Sequence, residues 1–269
     1  MSRIVMKTWA KIEARHQKEL DGITIEDAVF GRYLCAVKLS NNQYGVSSII
    51  EDDKVHCDKA LRDYGPFTPL QIRGRSLPEL FDYQKESATV NMLRIAVLNA
   101  LSSLNISDES VKLMVDTDPI DLLEIKTGQR VILVGAFHSY IKHCLKAGAN
   151  LGVLEMNQDA LSDNHRSLFI PADQFEVVIP DAEVLIITGL TLVNDTLEGL
   201  LKAVRPGTKV VVTGPSSSII PHVLFDYGVD MVGGIRITKP EVLFSLVGQG
   251  AAGYHLFKYC AEKITMKKC

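Results

Sequence analysis

Several apolar runs in this chain end on residues suited to holding a small ligand: Gly135-Ala136-Phe137-His138, Thr188-Gly189, Gly214-Pro215-Ser216 and Gly233-Gly234. A further run, 151–154, ends on Glu155. Glycine at such a place lets a ligand approach the backbone, and the first turn of a following helix offers unpaired N–H groups to an anion. Glu155 stands twenty residues after Gly135, the spacing at which nucleotide-binding folds keep an acid for a ribose hydroxyl. The stretch 135–141 is not G-x-G-x-x-G, however. Only its first glycine is present, which leaves close approach of a pyrophosphate unsupported.

The segment 188–196, Thr-Gly-Leu-Thr-Leu-Val-Asn-Asp-Thr, is dense in hydroxyl and amide groups. Asn194 or Asp195 can cap the helix that follows, and Asp195 with Glu198 has the spacing of an acidic capping box. Capping accounts for one of these residues but leaves Thr188 and Thr191 free to line a polar cleft. Ser216 and Ser218 carry the same double reading, cap or ligand contact. Metal donors are also present: His138, His143, Cys144, Glu155, His222 and the adjacent His56-Cys57. None of these has strong ligand spacing, His138 and His143 being five apart rather than four, and no Ser-His-Asp or paired-carboxylate set emerges.

The elements that must position these residues fall into two groups. An amphipathic helix opens the chain, with Ile4, Val5, Trp9, Ile12 and Leu20 on one face. Three β-rich runs at 24–30, 33–39 and 44–50 are separated by Gly31-Arg32 and Asn41-Asn42, so an antiparallel meander is expected. A helix at 87–104 repeats apolar residues at helical spacing and should pack one face on that meander. From 131 onward, short runs at 131–134, 151–154, 184–187, 209–213 and 229–232 alternate with helical stretches. That is the pattern of a parallel sheet buried on both faces, with all the run ends on one edge. The expected fold is therefore α/β, a Rossmann-like, doubly wound, mostly parallel sheet (116–269) preceded by a small α+β domain (1–115).

At 269 residues the chain is long enough for two cores, and 46% hydrophobic with 23% charged residues describes a globular protein. A net charge of −3 gives no broad basic surface, so nucleic acid is not an expected partner. No run reaches the ~20 apolar residues of a membrane span. The five cysteines lack C-x-x-C spacing, and with no apolar leader at the start a cytoplasmic location is expected.

Several of these pieces together resemble one family. They are Val134-Gly135-Ala136-Phe137, Val153-Leu154-Glu155, Pro180-Asp181-Ala182-Glu183, Ile187-Thr188-Gly189, Thr191-Leu192-Val193-Asn194-Asp195-Thr196-Leu197, Gly214-Pro215-Ser216 and Leu224-Phe225-Asp226-Tyr227-Gly228-Val229-Asp230. In this order they are similar to the heavy-metal chelation family, a family of unknown function. Ala36-Val37 and Ala96-Val97-Leu98-Asn99-Ala100 extend the likeness into the first half. The resemblance implies a first domain similar to the N-terminal domain of enolases, a Rossmann-like second domain, and a cleft between them for a metal or chelating molecule.

Carried over by motif, the implied ligand-binding residues are Asn99, Gly135, Phe137, Glu155, Thr188, Gly189, Thr191, Asn194, Gly214, Pro215 and Ser216, with His138 beside them. His138 and Ser139 depart from the family's usual proline. Arg94 replaces a glycine, Ser47-Ser48 a small apolar pair, and Lys239 an acid. If Arg94 and Lys239 face the cleft they make it positive, which favours an anionic ligand or a metal held by an anionic chelator. The expected cofactor is a metal ion or chelated metal, the expected partners a small molecule and a second copy of the chain. The alternative is an enzyme using S-adenosylmethionine or a nicotinamide dinucleotide at the same strand ends.

Overall fold

A computed structural model describes residues 1–50, 64–85, 87–102 and 109–269; His56 and Cys57 lie outside them. The chain begins with α1 (Arg3–Leu20), β1 (Ile25–Phe30), β2 (Leu34–Leu39), β3 (Tyr44–Ser48), α2 (Leu77–Asp82) and α3 (Ala88–Ser102). Next come β4 (Val111–Val115), β5 (Arg130–Val134), α4 (His138–Lys146), β6 (Asn150–Glu155), β7 (Phe169–Pro171) and the single turn α5 (Phe175–Val178). The chain continues with β8 (Val184–Thr188), α6 (Leu190–Val193), α7 (Leu197–Lys202), β9 (Lys209–Thr213) and α8 (His222–Asp226). It closes with β10 (Met231–Ile237), α9 (Pro240–Gly248), α10 (Gly253–Tyr259) and β11 (Ala261–Lys268).

Strands β1, β2 and β3 form the expected antiparallel meander, joined by tight turns. Helix α1 starts where the Ser2 hydroxyl accepts the Val5 N–H. It buries Ile4, Val5, Trp9 and Ile12, and the Trp9 ring stacks on Phe81 at 4.2 Å. Helix α3 differs from its sequence reading. It does not bury one face but nearly all of its circumference, Arg94 and Asn99 included, because it lies between the meander and the rest of the molecule.

The large sheet has the strand order β4-β11-β10-β9-β8-β5-β6-β7 among the described residues, parallel from β10 to β7. In β5, Ile132 and Val134 enter the core shared with α1 and α3, whereas Val131 and Leu133 enter the core under α4. Both faces are covered, so the strands read as uninterrupted apolar runs. One strand is placed differently from expectation. Val111–Val115, read as the end of the first domain, pairs antiparallel with β11 in the large sheet. β11 itself, Ala-Glu-Lys-Ile-Thr-Met-Lys-Lys, returns antiparallel beside β10.

Candidate functional site

Strand order reverses at β5: the chain runs outward through β6 and β7 on one side, then restarts at β8 on the other. Open α/β sheets bind ligands beyond the strand ends at such a point. A cavity of about 510 Å³ lies there, walled by the ends of β5, β6 and β8 and by α6 and α7. Gly135, Phe137, Glu155, Thr188, Thr191 and Asn194, six of the residues expected from sequence, line it together.

The turn after β5 explains the glycine. Gly135 has φ +100°, in the region L side chains rarely enter, and a Cβ there would stand 3.2 Å from Cβ and Cγ2 of Thr188. The Gly135 N–H continues the ladder to the Leu154 carbonyl at 2.9 Å. Glu155 closes the turn: its Oε2 accepts the Ala136 N–H at 3.0 Å, while Oε1 accepts the Met156 N–H at 2.7 Å. The acid at the end of β6 therefore holds its own protein's backbone.

On the β8 side, the Thr191 hydroxyl donates to the Thr188 carbonyl at 2.6 Å, and Thr188 Oγ1 accepts the Leu190 N–H at 3.3 Å. Asn194 does not cap α7. Its Oδ1 accepts from both the N–H and the hydroxyl of Thr196, forming an Asx turn in which Asp195 takes φ +65°. The Nδ2 of Asn194 has no protein acceptor among the described residues and is left as a donor in the cavity wall.

The other expected residues lie elsewhere. His138 is exposed on the first turn of α4 and does not line the cavity. Gly189 is buried against Ser217, where a Cβ would stand 2.9 Å from the Ser217 nitrogen. Asn99, Pro215 and Ser216 form a seam between the meander and the loop after β9. Asn99 Nδ2 donates to the Val46 carbonyl at 2.6 Å and the Pro215 carbonyl at 3.1 Å, and the fully buried Ser216 hydroxyl accepts the Ser48 N–H at 2.7 Å. Gly214 opens that loop at φ +130°. These residues weld the two sheets together, and Ser216 is neither a helix cap nor a cavity wall. Ser216→Ala strands the Ser48 N–H and should cost about 1–3 kcal/mol. Urea denaturation reads this; an unchanged midpoint would remove the tether from the account.

The cavity is walled by residues between 134 and 200 alone, not by both domains as expected of the cleft, and it is not positive. Arg94 is 1% exposed and donates to the carbonyls of Leu80 and Tyr83 and to Asn91, away from the cavity, and Lys239 does not line it either. Sequence reasoning missed the apolar walls Met156, Phe175, Leu190 and Leu200, together with Gly199. Gly199 did carry a signal, as a glycine inside a helical run whose Cβ would meet nothing within 4 Å.

The donors around the cavity are the carboxylates of Glu155 and Asp195, threonine hydroxyls and an asparagine amide. Soft heavy metals take thiolate and imidazole instead. Among the described residues no three His, Cys, Asp or Glu side chains come together as a metal site. Burial pushes the thiols of Cys35 and Cys144 up to about 12 and about 11, which keeps them protonated and poor ligands. The described residues do not fit a bare heavy-metal ion.

The fold is an α/β one, a mostly parallel eight-stranded sheet with helices on its faces, and it carries a cavity at its switch point. A family model described as "Putative heavy-metal chelation" (DUF364) matches residues 118–266, and a second of the same description (DUF4213) matches 14–102. The chain belongs to the DUF364 family. An uncharacterized protein of Methanocaldococcus jannaschii is 23% identical over 182 residues, a match spanning 65% of this chain and 65% of that protein's length. A DUF364 family protein of unknown function from Pyrococcus horikoshii superposes with a TM-score of 0.75 at 17% identity, covering 97% of this chain and 99% of that one. Another from Desulfitobacterium hafniense gives 0.70 at 18%, covering 96% and 100%. At these identities the likeness speaks for the fold. No described helix is long and apolar enough to cross a membrane.

Proposed function

We propose that the protein binds a small organic chelator together with its metal in the cavity at the ends of β5, β6 and β8. One observation carries the reading: six residues singled out by sequence converge on a cavity of about 510 Å³, yet among the described residues no metal-ligand cluster forms. The metal implied by the family description must then arrive with its own ligands. The protein supplies shape, an apolar wall of Phe137, Phe175, Leu190 and Leu200, and a few hydrogen-bonding groups, the usual make-up of a small-molecule site. The anionic character expected of the ligand loses its basis with Arg94 and Lys239.

Titration calorimetry with zinc, nickel and copper, each alone and each as its histidine complex, tests this. The complexes should bind and the bare ions should not. Gly199→Trp places an indole over the opening from an exposed helix position with free space around it, and replaces a poor helix former. It should abolish complex binding while the protein stays folded. Complexes that fail to bind, or bind equally to this variant, would refute the site. Stabilisation by S-adenosylmethionine or a nicotinamide dinucleotide, without any by chelates, would hand the cavity to the cofactor-dependent enzyme expected as the alternative.

A further inference from the structure

The turn between β5 and α4 is where nucleotide-binding folds present free backbone N–H groups to a phosphate. Here the N–H groups of the turn itself, 135–137, are already engaged. The Glu155 carboxylate accepts the Ala136 N–H at 3.0 Å through one oxygen and the Met156 N–H at 2.7 Å through the other, while the Phe137 N–H turns back to the Gly135 carbonyl at 3.0 Å. The second charged residue of the wall, Asp195, is also acidic, and among the described residues no Lys, Arg or His lines the cavity.

From this we infer that Glu155 is an internal anion that sets the charge selectivity of the cavity: it rejects phosphate-bearing and other anionic ligands and admits neutral or cationic ones. The inference rests on the proposed ligand site and adds the class of chelate, one whose metal complex is uncharged or positive. An anion entering the turn would meet a carboxylate at close range and find the Ala136 N–H already engaged. A cation or hydrogen-bond donor would complete the remaining lone pairs of that carboxylate.

Two inert octahedral complexes of opposite sign, hexaamminecobalt(III) and hexacyanocobaltate(III), isolate charge from chelator chemistry. The full chain and its Gly199→Trp variant are titrated with each by calorimetry, and only binding lost in that variant is counted. The cationic complex should bind more tightly by on the order of tenfold, equivalent to about 1.4 kcal/mol. Glu155→Gln retains an oxygen acceptor for the Ala136 N–H but removes the charge, and should narrow that ratio at least severalfold. Circular dichroism verifies that the variant is folded; if it is not, the wild-type ratio alone decides. Equal or tighter cavity binding of the anionic complex overturns the selectivity and leaves the chelate site standing. Cavity binding of neither complex, nor of the histidine chelates, overturns both.

Discussion

Gly45→Ala should cost about 3 kcal/mol or more and lower the melting temperature by several degrees, at roughly 2–4 °C per kcal/mol for a chain of this size. Strand β3 lies directly on α3 at this point. A Cβ on Gly45 would stand 2.0 Å from the Ala96 carbonyl oxygen and 2.4 Å from the Ala100 nitrogen, both backbone atoms of a buried helix. No rotamer change relieves such a contact, so strand and helix must separate. The next residue on the strand is Val46, whose carbonyl accepts from Asn99 Nδ2 at 2.6 Å, and the same nitrogen holds the Pro215 carbonyl at 3.1 Å. Pushing β3 off α3 therefore loosens the seam along with the meander. Thermal unfolding measures the loss, and hydrogen exchange at Ser48 reports whether the seam opens with it. A variant as stable as the parent would show that the close approach is not required.

This chain of contacts also shows where sequence reading reaches and where it stops. The inner parallel strands β5, β6, β8 and β9 are legible because both faces are buried: Val131-Ile132-Leu133-Val134 leaves no polar position to confuse the pattern. Gly135 and Glu155 were legible because a glycine after such a run, and an acid after the next, follow from topology alone. Their partnership was not. The sequence offers Glu155 as a ribose acceptor, whereas the fold brings the Ala136 N–H to it and leaves the acid as part of the turn.

Asn99, implied as a ligand contact by the family resemblance alone, and Ser216, open to a cap or a ligand contact, have partners 116 and 168 positions away in the chain. Nothing local marks such a pair. Arg94 went astray for the opposite reason. A charge on an apolar helix reads as facing water or a ligand, yet its guanidinium reaches carbonyls at and just after the end of α2, where the negative end of the helix dipole offsets the burial. Strand β11 was invisible because four of its eight residues are charged, a pattern that suits a partly exposed strand and a surface helix equally well.

Stability should fall steadily as the solution is made alkaline, and Cys35 should account for a measurable share. Its side chain is fully buried on β2, and burial pushes the thiol up to about 12. In the unfolded chain a thiol loses its proton near pH 8.5. Between these values the folded state binds the extra proton, so unfolding is favoured as pH rises, by about 1.4 kcal/mol per pH unit for each such group. Below about pH 8 both states carry the proton and the effect vanishes. Cys144 and Cys260 are raised in the same direction, and Tyr140, buried and donating to Asp118, adds to the decline once pH passes about 10. Urea midpoints from pH 7 to pH 11 should thus drop for the parent, and drop less steeply for Cys35→Ala by one group's worth. Parallel curves would mean that the thiol is not shielded as described. The same shielding bears on function, since a thiol that resists ionisation up to about 12 is withheld from soft metals at neutral pH. A less steep alkaline decline in Cys35→Ala, with chelate binding unchanged, would separate the protein's sulfur chemistry from its ligand site.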